Sequence, residues 1–260
     1  MKKTILVLWR IWFYFLCAIP VLVLFPFLAI ALFFSGGYKV VYWIARNIWA
    51  PFVMLGCGFW IKRLNTIPEL MKTTIIIANH ASYIDILLMF RLFKKPFVFV
   101  GKKELANIPV FGYLYKRAAI MVDRSDKKSR YSVYGFANRV ISKGYSICIF
   151  PERDYLDESI LLNPFKRGAF KMAIEHQIPI LPLVFYDCKR KFPWYTTYGY
   201  PGPLRVKALP KIAVLGKKEN ELSGLLSNSH QKIENALLDD EKKAALNAID
   251  LWNKIKKAKV

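Results

Sequence analysis

Polar and apolar positions change rhythm along this chain, and the change divides it in two. After Lys2, Lys3 and Arg10 comes an uncharged run from Ile11 to Phe34. Those 24 residues are enough for a helix of about 1.5 Å rise per residue to span the bilayer's hydrocarbon core. Pro20 and Pro26 predict a kink or a break, so a re-entrant hairpin is an alternative to a straight span. Ser35-Gly36-Gly37 reads as a turn. The next segment, Tyr38 to Ile61, mixes Tyr38, Tyr42, Trp43, Trp49 and Trp60 with Lys39 and Arg46, which suits the bilayer interface better than its centre. A buried pair of core helices is the non-membrane alternative. A secretory signal is disfavoured, because the run is too long and Phe33-Phe34-Ser35-Gly36-Gly37 lacks a small-x-small cleavage site.

From Lys62 onward charges recur and apolar runs shorten. The pattern predicts membrane-embedded helices over 1–61 and a second domain over 62–260. Short β-branched runs read as strands at Ile75–Ala78, Phe97–Val100, Ala118–Val122, Ser146–Phe150 and Pro179–Phe185. Helical periodicity falls between them, at Ile84–Phe93, in a short helix ending at Arg117, at Ser129–Lys143 before Gly144, and from Gly168 to about Gln177. Residues 190–215 read as loop with short strands, and 219–257 as amphipathic helices. Strands alternating with helices imply an α/β fold: a mixed, largely parallel sheet flanked by helices, preceded by an N-terminal hydrophobic helical membrane anchor.

Composition narrows the partners. The chain is 55% hydrophobic and carries 40 basic against 18 acidic residues, a formal charge of +22. That surplus suits anionic headgroups, phosphorylated substrates, acidic carrier proteins or nucleic acid. Nucleic acid is disfavoured because the charge is dispersed, an apolar anchor is present and no nucleic-acid module appears. Cys17, Cys57, Cys148 and Cys188 have neither metal-like nor redox-like spacing and read as reduced, mostly buried thiols. Three histidines without clustered ligands make a metal site improbable.

The candidate chemistry begins where the first strand of the second domain ends. Asn79-His80-x4-Asp85 places a histidine and a carboxylate on either side of a strand-to-helix turn. In that arrangement the carboxylate can hold one imidazole nitrogen and leave the other to take a proton. Ser82-x-x-Asp85 also fits a helix-capping box, and His80 alone could be an ordinary strand-end histidine. Two further strand ends carry charge, at Asp123-Arg124 and at Pro151-Glu152-Arg153-Asp154. A solvated Arg124 paired with Asp123 or Asp126 is the plain alternative there. A serine hydrolase lacks support, because no G-x-S-x-G elbow surrounds Ser82.

Four blocks occur in a fixed order: Asn79-His80-x4-Asp85; Lys102-x-Glu104-Leu105 through Val122-Asp123-Arg124; Phe150-Pro151-Glu152; and Ile180-Leu181-Pro182-Leu183. Over roughly residues 72–186 this order resembles the glycerolipid acyltransferase family, and within it the bacterial 1-acylglycerol-3-phosphate O-acyltransferases, which make phosphatidic acid. The resemblance implies that His80, oriented by Asp85, is the general base for the acceptor hydroxyl. It implies that Lys102 and Arg124 bind the acceptor's phosphate and that Glu152 helps fix the acceptor. The acyl donor would be a thioester of acyl carrier protein or coenzyme A, used as co-substrate, with no metal or bound cofactor.

One block departs from the family pattern. The third usually reads Phe-Pro-Glu-Gly-Thr-Arg, and here it reads Phe150-Pro151-Glu152-Arg153-Asp154-Tyr155. Arg153 is a candidate to replace the missing arginine at the phosphate. The departure keeps open another lysolipid or an aminolipid as acceptor. A non-catalytic basic adaptor at the membrane surface is a second alternative, opposed by the intact His80/Asp85 pair. Acyl thioesters arise in the cytosol and the N-terminus is positive, so the expected location is the inner (cytoplasmic) membrane with the catalytic domain facing the cytoplasm.

Overall fold

The computed structural model describes residues 2–122, 127–152, 157–194 and 196–258, with the backbone alone at residue 2 and over 127–134. Helix α1 (Lys2–Ala31) is unbroken, with Pro20 and Pro26 inside it. A proline deletes one intrahelical bond and costs ~3 kcal/mol. A break within so apolar a stretch would expose several unpaired backbone groups instead. Within Lys3–Ala31 an 18-residue stretch has a mean hydropathy of 2.5 with 17% of it buried, so by length and composition the helix can cross a membrane. Phe13 and Leu16 turn inward, while Leu8, Phe15, Val23 and Phe27 face outward.

The second apolar segment does something different. Helix α2 (Gly37–Ile44) passes through a π turn at Ala45–Trp49 into α3 (Ala50–Gly56), forming one continuous rod. The π turn sits just ahead of Pro51, which has no N–H to donate and whose ring crowds the preceding carbonyl. Tyr42, Ala50, Val53 and Met54 bury one side of this rod, while Trp43, Phe52 and Leu55 stay exposed on the other. So the rod is both a core element and an apolar outer surface.

Strand β1 (Phe59–Arg63) follows at once and straddles the compositional boundary at residue 61/62. The rest of the chain alternates. In order it comprises β2 (Ile75–Ala78), α4 (Ile84–Leu92), β3 (Phe97–Lys102), α5 (Phe111–Ala118), β4 (Ala119–Val122), α6 (Lys127–Ser142), β5 (Ser146–Ile149), α7 (Gly168–Glu175), β6 (Ile180–Phe185), α8 (Cys188–Lys191), β7 (Gly202–Ala208), α9 (Leu222–Leu238) and α10 (Ala244–Lys257). The described strands form one seven-stranded sheet in the order β1-β7-β6-β2-β5-β3-β4. Strands β6, β2, β5, β3 and β4 are mutually parallel, and β7 runs antiparallel to β6. This is the mixed, largely parallel sheet that the alternation predicts.

Period-two side-chain alternation builds two cores. Ile76, Ala78, Cys148, Leu181 and Leu183 face α1, α3 and α4, and join Phe13, Val53, Ile84 and Leu88. Ile75, Ile77, Ile147 and Val184 face the other way, onto Ala137, Phe170, Ala173, Leu225 and Ile233 of α6, α7 and α9. The stretch expected to be loop and short strands contains β7, a seven-residue strand inserted between β1 and β6. Leu204, Val206 and Ala208 carry its buried alternation, while Arg205 and Lys207 disguise it in the sequence. Arg205 is itself buried. It bonds Asp187 through Nε (3.0 Å) and Nη2 (2.7 Å), and Asp240 through Nη1 (2.5 Å).

Candidate active site

Strand β2 is central and wholly buried, and its end is pinned by Asn79. The Asn79 amide accepts from the Phe185 N–H at 2.8 Å and donates to the Phe185 carbonyl at 2.9 Å, so a side chain continues the ladder one residue past the strand. Beyond it the chain turns away from the sheet and carries His80 out to the edge.

Asp85, in the first turn of α4 and 0% exposed, gathers that turn around a single oxygen. Its Oδ2 accepts from the Ala81 N–H at 2.8 Å and the Ser82 N–H at 2.9 Å, and lies 2.9 Å from His80 Nδ1. Ser82 Oγ accepts from the Ile84 N–H at 3.2 Å and donates to the Phe192 carbonyl at 2.7 Å. Of the reciprocal capping box only the bond from the Ser82 N–H to Asp85 forms, while the Asp85 N–H goes to the Ser82 carbonyl. The carboxylate that gathers the turn is held, by those bonds, where it meets the ring. With Nδ1 committed to Asp85, Nε2 is the nitrogen left to accept a proton. The buried Cys188 thiol also interacts with this carboxylate. Burial first, then the charge of Asp85, push it well above the usual thiol range, so it stays protonated.

The third block grips His80 from two sides. Phe150 stacks under the ring at 3.9 Å between centroids with planes 12° apart. Glu152 Oε1 accepts the His80 backbone N–H at 2.7 Å, and Oε2 accepts from the Asn163 N–H (2.8 Å) and Nδ2 (3.1 Å). Burial raises the Glu152 pKa, and those bonds pull against it. Both oxygens thus accept from the protein, and these bonds tie Glu152 to the His80 loop. The resemblance implies that Glu152 helps fix the acceptor, and the bond to the loop gives it a positioning contact besides. Glu152→Gln is accordingly expected to lower kcat by about 10- to 100-fold with little change in acceptor KM, because an amide must oppose one donor with its own N–H. Steady-state kinetics with varied acceptor check this, and a raised KM at unchanged kcat would make Glu152 an acceptor contact after all.

Sequence reasoning missed the third side. Trp194 meets the His80 ring edge-on at 4.7 Å and touches Tyr83, which in turn touches Tyr14 of α1. Arg10 reads in the sequence as a flanking charge, yet it is 8% exposed. Its Nη2 donates to the Pro193 carbonyl at 2.6 Å, and its guanidinium lies 4.3 Å over the Phe192 ring. No local motif signals either residue, because their partners are more than 100 positions away.

Parallel pairing brings the remaining blocks to the same edge. Phe99 and Ile76 both pair with Cys148, so Lys102 stands level with Asn79, three residues further along. Two strand spacings of about 4.8 Å put it about 10 Å from β2 across the sheet. At Gly101 a Cβ would lie 2.1 Å from the Tyr115 hydroxyl, so the strand end needs glycine to seat that ring beneath Lys102. Arg124 and Arg153 lie outside the described residues, as does the altered stretch after Glu152. The elements that lead to them, β4 and Pro151-Glu152, both end at this edge.

Comparison with known proteins follows the same span. A family model described as Acyltransferase matches residues 58–186. The 1-acyl-sn-glycerol-3-phosphate acyltransferase of Escherichia coli (strain K12) is 30% identical over 185 residues, covering 70% of this chain and 74% of that protein. The protein of the same name from Cocos nucifera is 31% identical over 170 residues, 65% of this chain and 55% of its own. Against other curated relatives the chain spans between 40% and 64% of their length. The crystal structure of the 1-acyl-sn-glycerophosphate (LPA) acyltransferase from Thermotoga maritima superposes with a TM-score of 0.73 over 92% of this chain and 98% of that one, at 19% identity, a likeness of fold.

Proposed function

This chain belongs to the acyltransferase family, and from that premise we propose that it transfers an acyl chain from an acyl thioester to the free hydroxyl of lysophosphatidic acid, giving phosphatidic acid. The observation that carries the reading is the His80–Asp85 pair at the sheet edge, Nδ1 to Oδ2 at 2.9 Å.

His80 Nε2 takes the hydroxyl proton as the acceptor oxygen attacks the thioester carbonyl. The tetrahedral oxyanion collapses, the carbon–sulfur bond breaks, and the thiolate leaves with the proton from His80. Atoms balance between the two substrates as ester and free thiol. The donor is the thioester of acyl carrier protein or coenzyme A. Lys102 and Arg124 meet the acceptor's phosphate, and Arg153 takes the place of the family's displaced arginine. The outward apolar surface of α1 supports embedding in the inner membrane beside the lipid substrates, with the catalytic edge towards the cytoplasm.

The test is an acyl-transfer assay on purified, detergent-solubilised protein, offering lysophosphatidic acid and other lysolipids with each thioester donor. Phosphatidic acid is the expected product. Lys102→Ala is expected to raise the acceptor KM by about tenfold, the loss of one charge-assisted phosphate contact of ~1.5 kcal/mol, with kcat largely kept. Transfer only to another lysolipid would replace lysophosphatidic acid as the acceptor, and no transfer to any acceptor would refute the enzymatic reading.

A further inference from the structure

A cationic concavity lies at the end of the sheet opposite His80. It is a groove of about 390 Å³ between α2 and the turn joining α4 to β3, lined by Lys39, Tyr42, Trp43, Arg46, Asn47, Lys94 and Pro96. Lys94 and Pro96 precede β3, whose far end carries Lys102, so six residues of strand, about 20 Å, separate this groove from the catalytic edge.

Its charge is built in. Arg46 is fixed by its Nε bond to the Phe93 carbonyl (2.9 Å) and its Nη1 bond to Asn47 Oδ1 (2.5 Å). Tyr42 donates to the same Phe93 carbonyl at 3.0 Å, and Arg91 donates to the Arg46 carbonyl from behind at 2.9 Å. Burial, and then the charges of Arg46 and Arg63, lower the Arg91 pKa. No carboxylate is among the residues that line the groove, and Lys39 and Lys94 make no ion pair with the described residues. An unbalanced set of three cations in one concavity calls for an anion.

The margin of the groove says which anion. Trp43, which lines it, is 58% exposed, and Val40 and Ile48 on the same rod are 42% and 43% exposed. The rod that carries this apolar rim packs on α1 through Ile44 and Val41, which meet Leu28. Soluble phosphate has no use for such a margin, whereas a lipid needs cations for its headgroup and apolar cover for its chains, with tryptophan at the boundary.

We propose that this groove binds the phosphodiester headgroup of an anionic bilayer phospholipid, at a site separate from that of the reacting substrates. The inference rests on the membrane placement proposed for α1 but not on the acyl-transfer chemistry. The experiment therefore counts bound lipid rather than product.

The full chain, purified in detergent, is mixed with radiolabelled phosphatidylglycerol or phosphatidylcholine and passed through gel filtration. Wild type is expected to retain phosphatidylglycerol in preference to phosphatidylcholine. Lys39→Glu/Lys94→Glu is expected to lower that retention by about tenfold or more, as befits the loss of two cations at a membrane surface. A control reversal of two exposed lysines elsewhere, Lys207→Glu/Lys232→Glu, should leave it unchanged. The groove variant should keep its acyl-transfer rate in detergent, which also shows that it folds. Unchanged retention in the groove variant, or an equal fall in the control, would overturn the proposal. So would displacement of the lipid by inorganic phosphate at matched concentration, since that would make the groove a site for soluble phosphate.

Discussion

His80→Ala is expected to lower acyl transfer by about 10²- to 10⁴-fold, the usual contribution of a positioned general base, while leaving the fold intact. The geometry makes the two effects separable. The ring is partly exposed, with 22% of the side chain accessible, so its removal opens little of the core. The Asp85 carboxylate keeps its bonds from the Ala81 and Ser82 N–H groups. Thermal unfolding of the variant should match wild type, and activity should not recover at any acceptor concentration. Asp85→Ala is the instructive contrast, because it strips the same turn of its cap and so loses stability together with rate. A His80→Ala protein retaining more than a tenth of wild-type turnover would refute the general-base assignment.

The largest expected effect on stability lies away from the reaction. Arg205 sits between Asp187 and Asp240, all three buried, and joins β7 to the residues before α8 and to the corner between α9 and α10. Arg205→Ala leaves two carboxylates buried without their cation, a change that costs about 3–5 kcal/mol. At roughly 2–4 °C per kcal/mol for a chain of this size, the melting temperature should fall on the order of 10 °C. Calorimetry checks the shift, and a fall of under 2 °C would show the triad to be marginal. Replacing all three residues together with apolar or neutral partners should recover most of the loss, since the penalty is for an unpaired charge.

The same triad carries a pH dependence of definite sign. Burial alone would raise the Asp240 carboxyl, but hydrogen bonds from Arg205 and the Ala244 N–H outweigh it and hold it below the usual carboxylate range. The unfolded chain therefore binds the proton more readily, so this contribution is complete above the ordinary value of 3.8 and is lost as pH falls through the lower folded value. Acidification should cost wild type more of its stability than it costs the Arg205 variant.

What the sequence disclosed was local. Ile75 to Asp85 carries its own strand, turn, cap and histidine pair within eleven residues, and each was readable from spacing. The helices at 127–142 and 222–238 announce themselves by period. Features that depend on distant partners were hidden. Strand β7 holds two cations among its seven residues, and only the carboxylates 18 positions before Arg205 and 35 after it explain why one of them is inside. Glu152 is recognisable as part of a motif, but nothing adjacent to it shows that Asn163 and the His80 backbone N–H donate to its two oxygens. The prolines of α1 suggested a break. A rule about one lost bond gave way to the many that a break would orphan in an apolar setting.

Arg10 gives α1 a second meaning. A helix with such an outward surface is usually treated as a tether, a part that could be trimmed away or exchanged for another of equal hydropathy. Here it is masonry. Three of its residues, Trp9, Arg10 and Phe13, press on Phe192 and Pro193, the residues that carry Trp194 to the edge of the histidine ring. A fragment cut to the portion matched by the family model, 58–186, would hold both His80 and Asp85 yet neither Trp194 nor the buttress behind it. Minimal versions of this protein have to begin with α1.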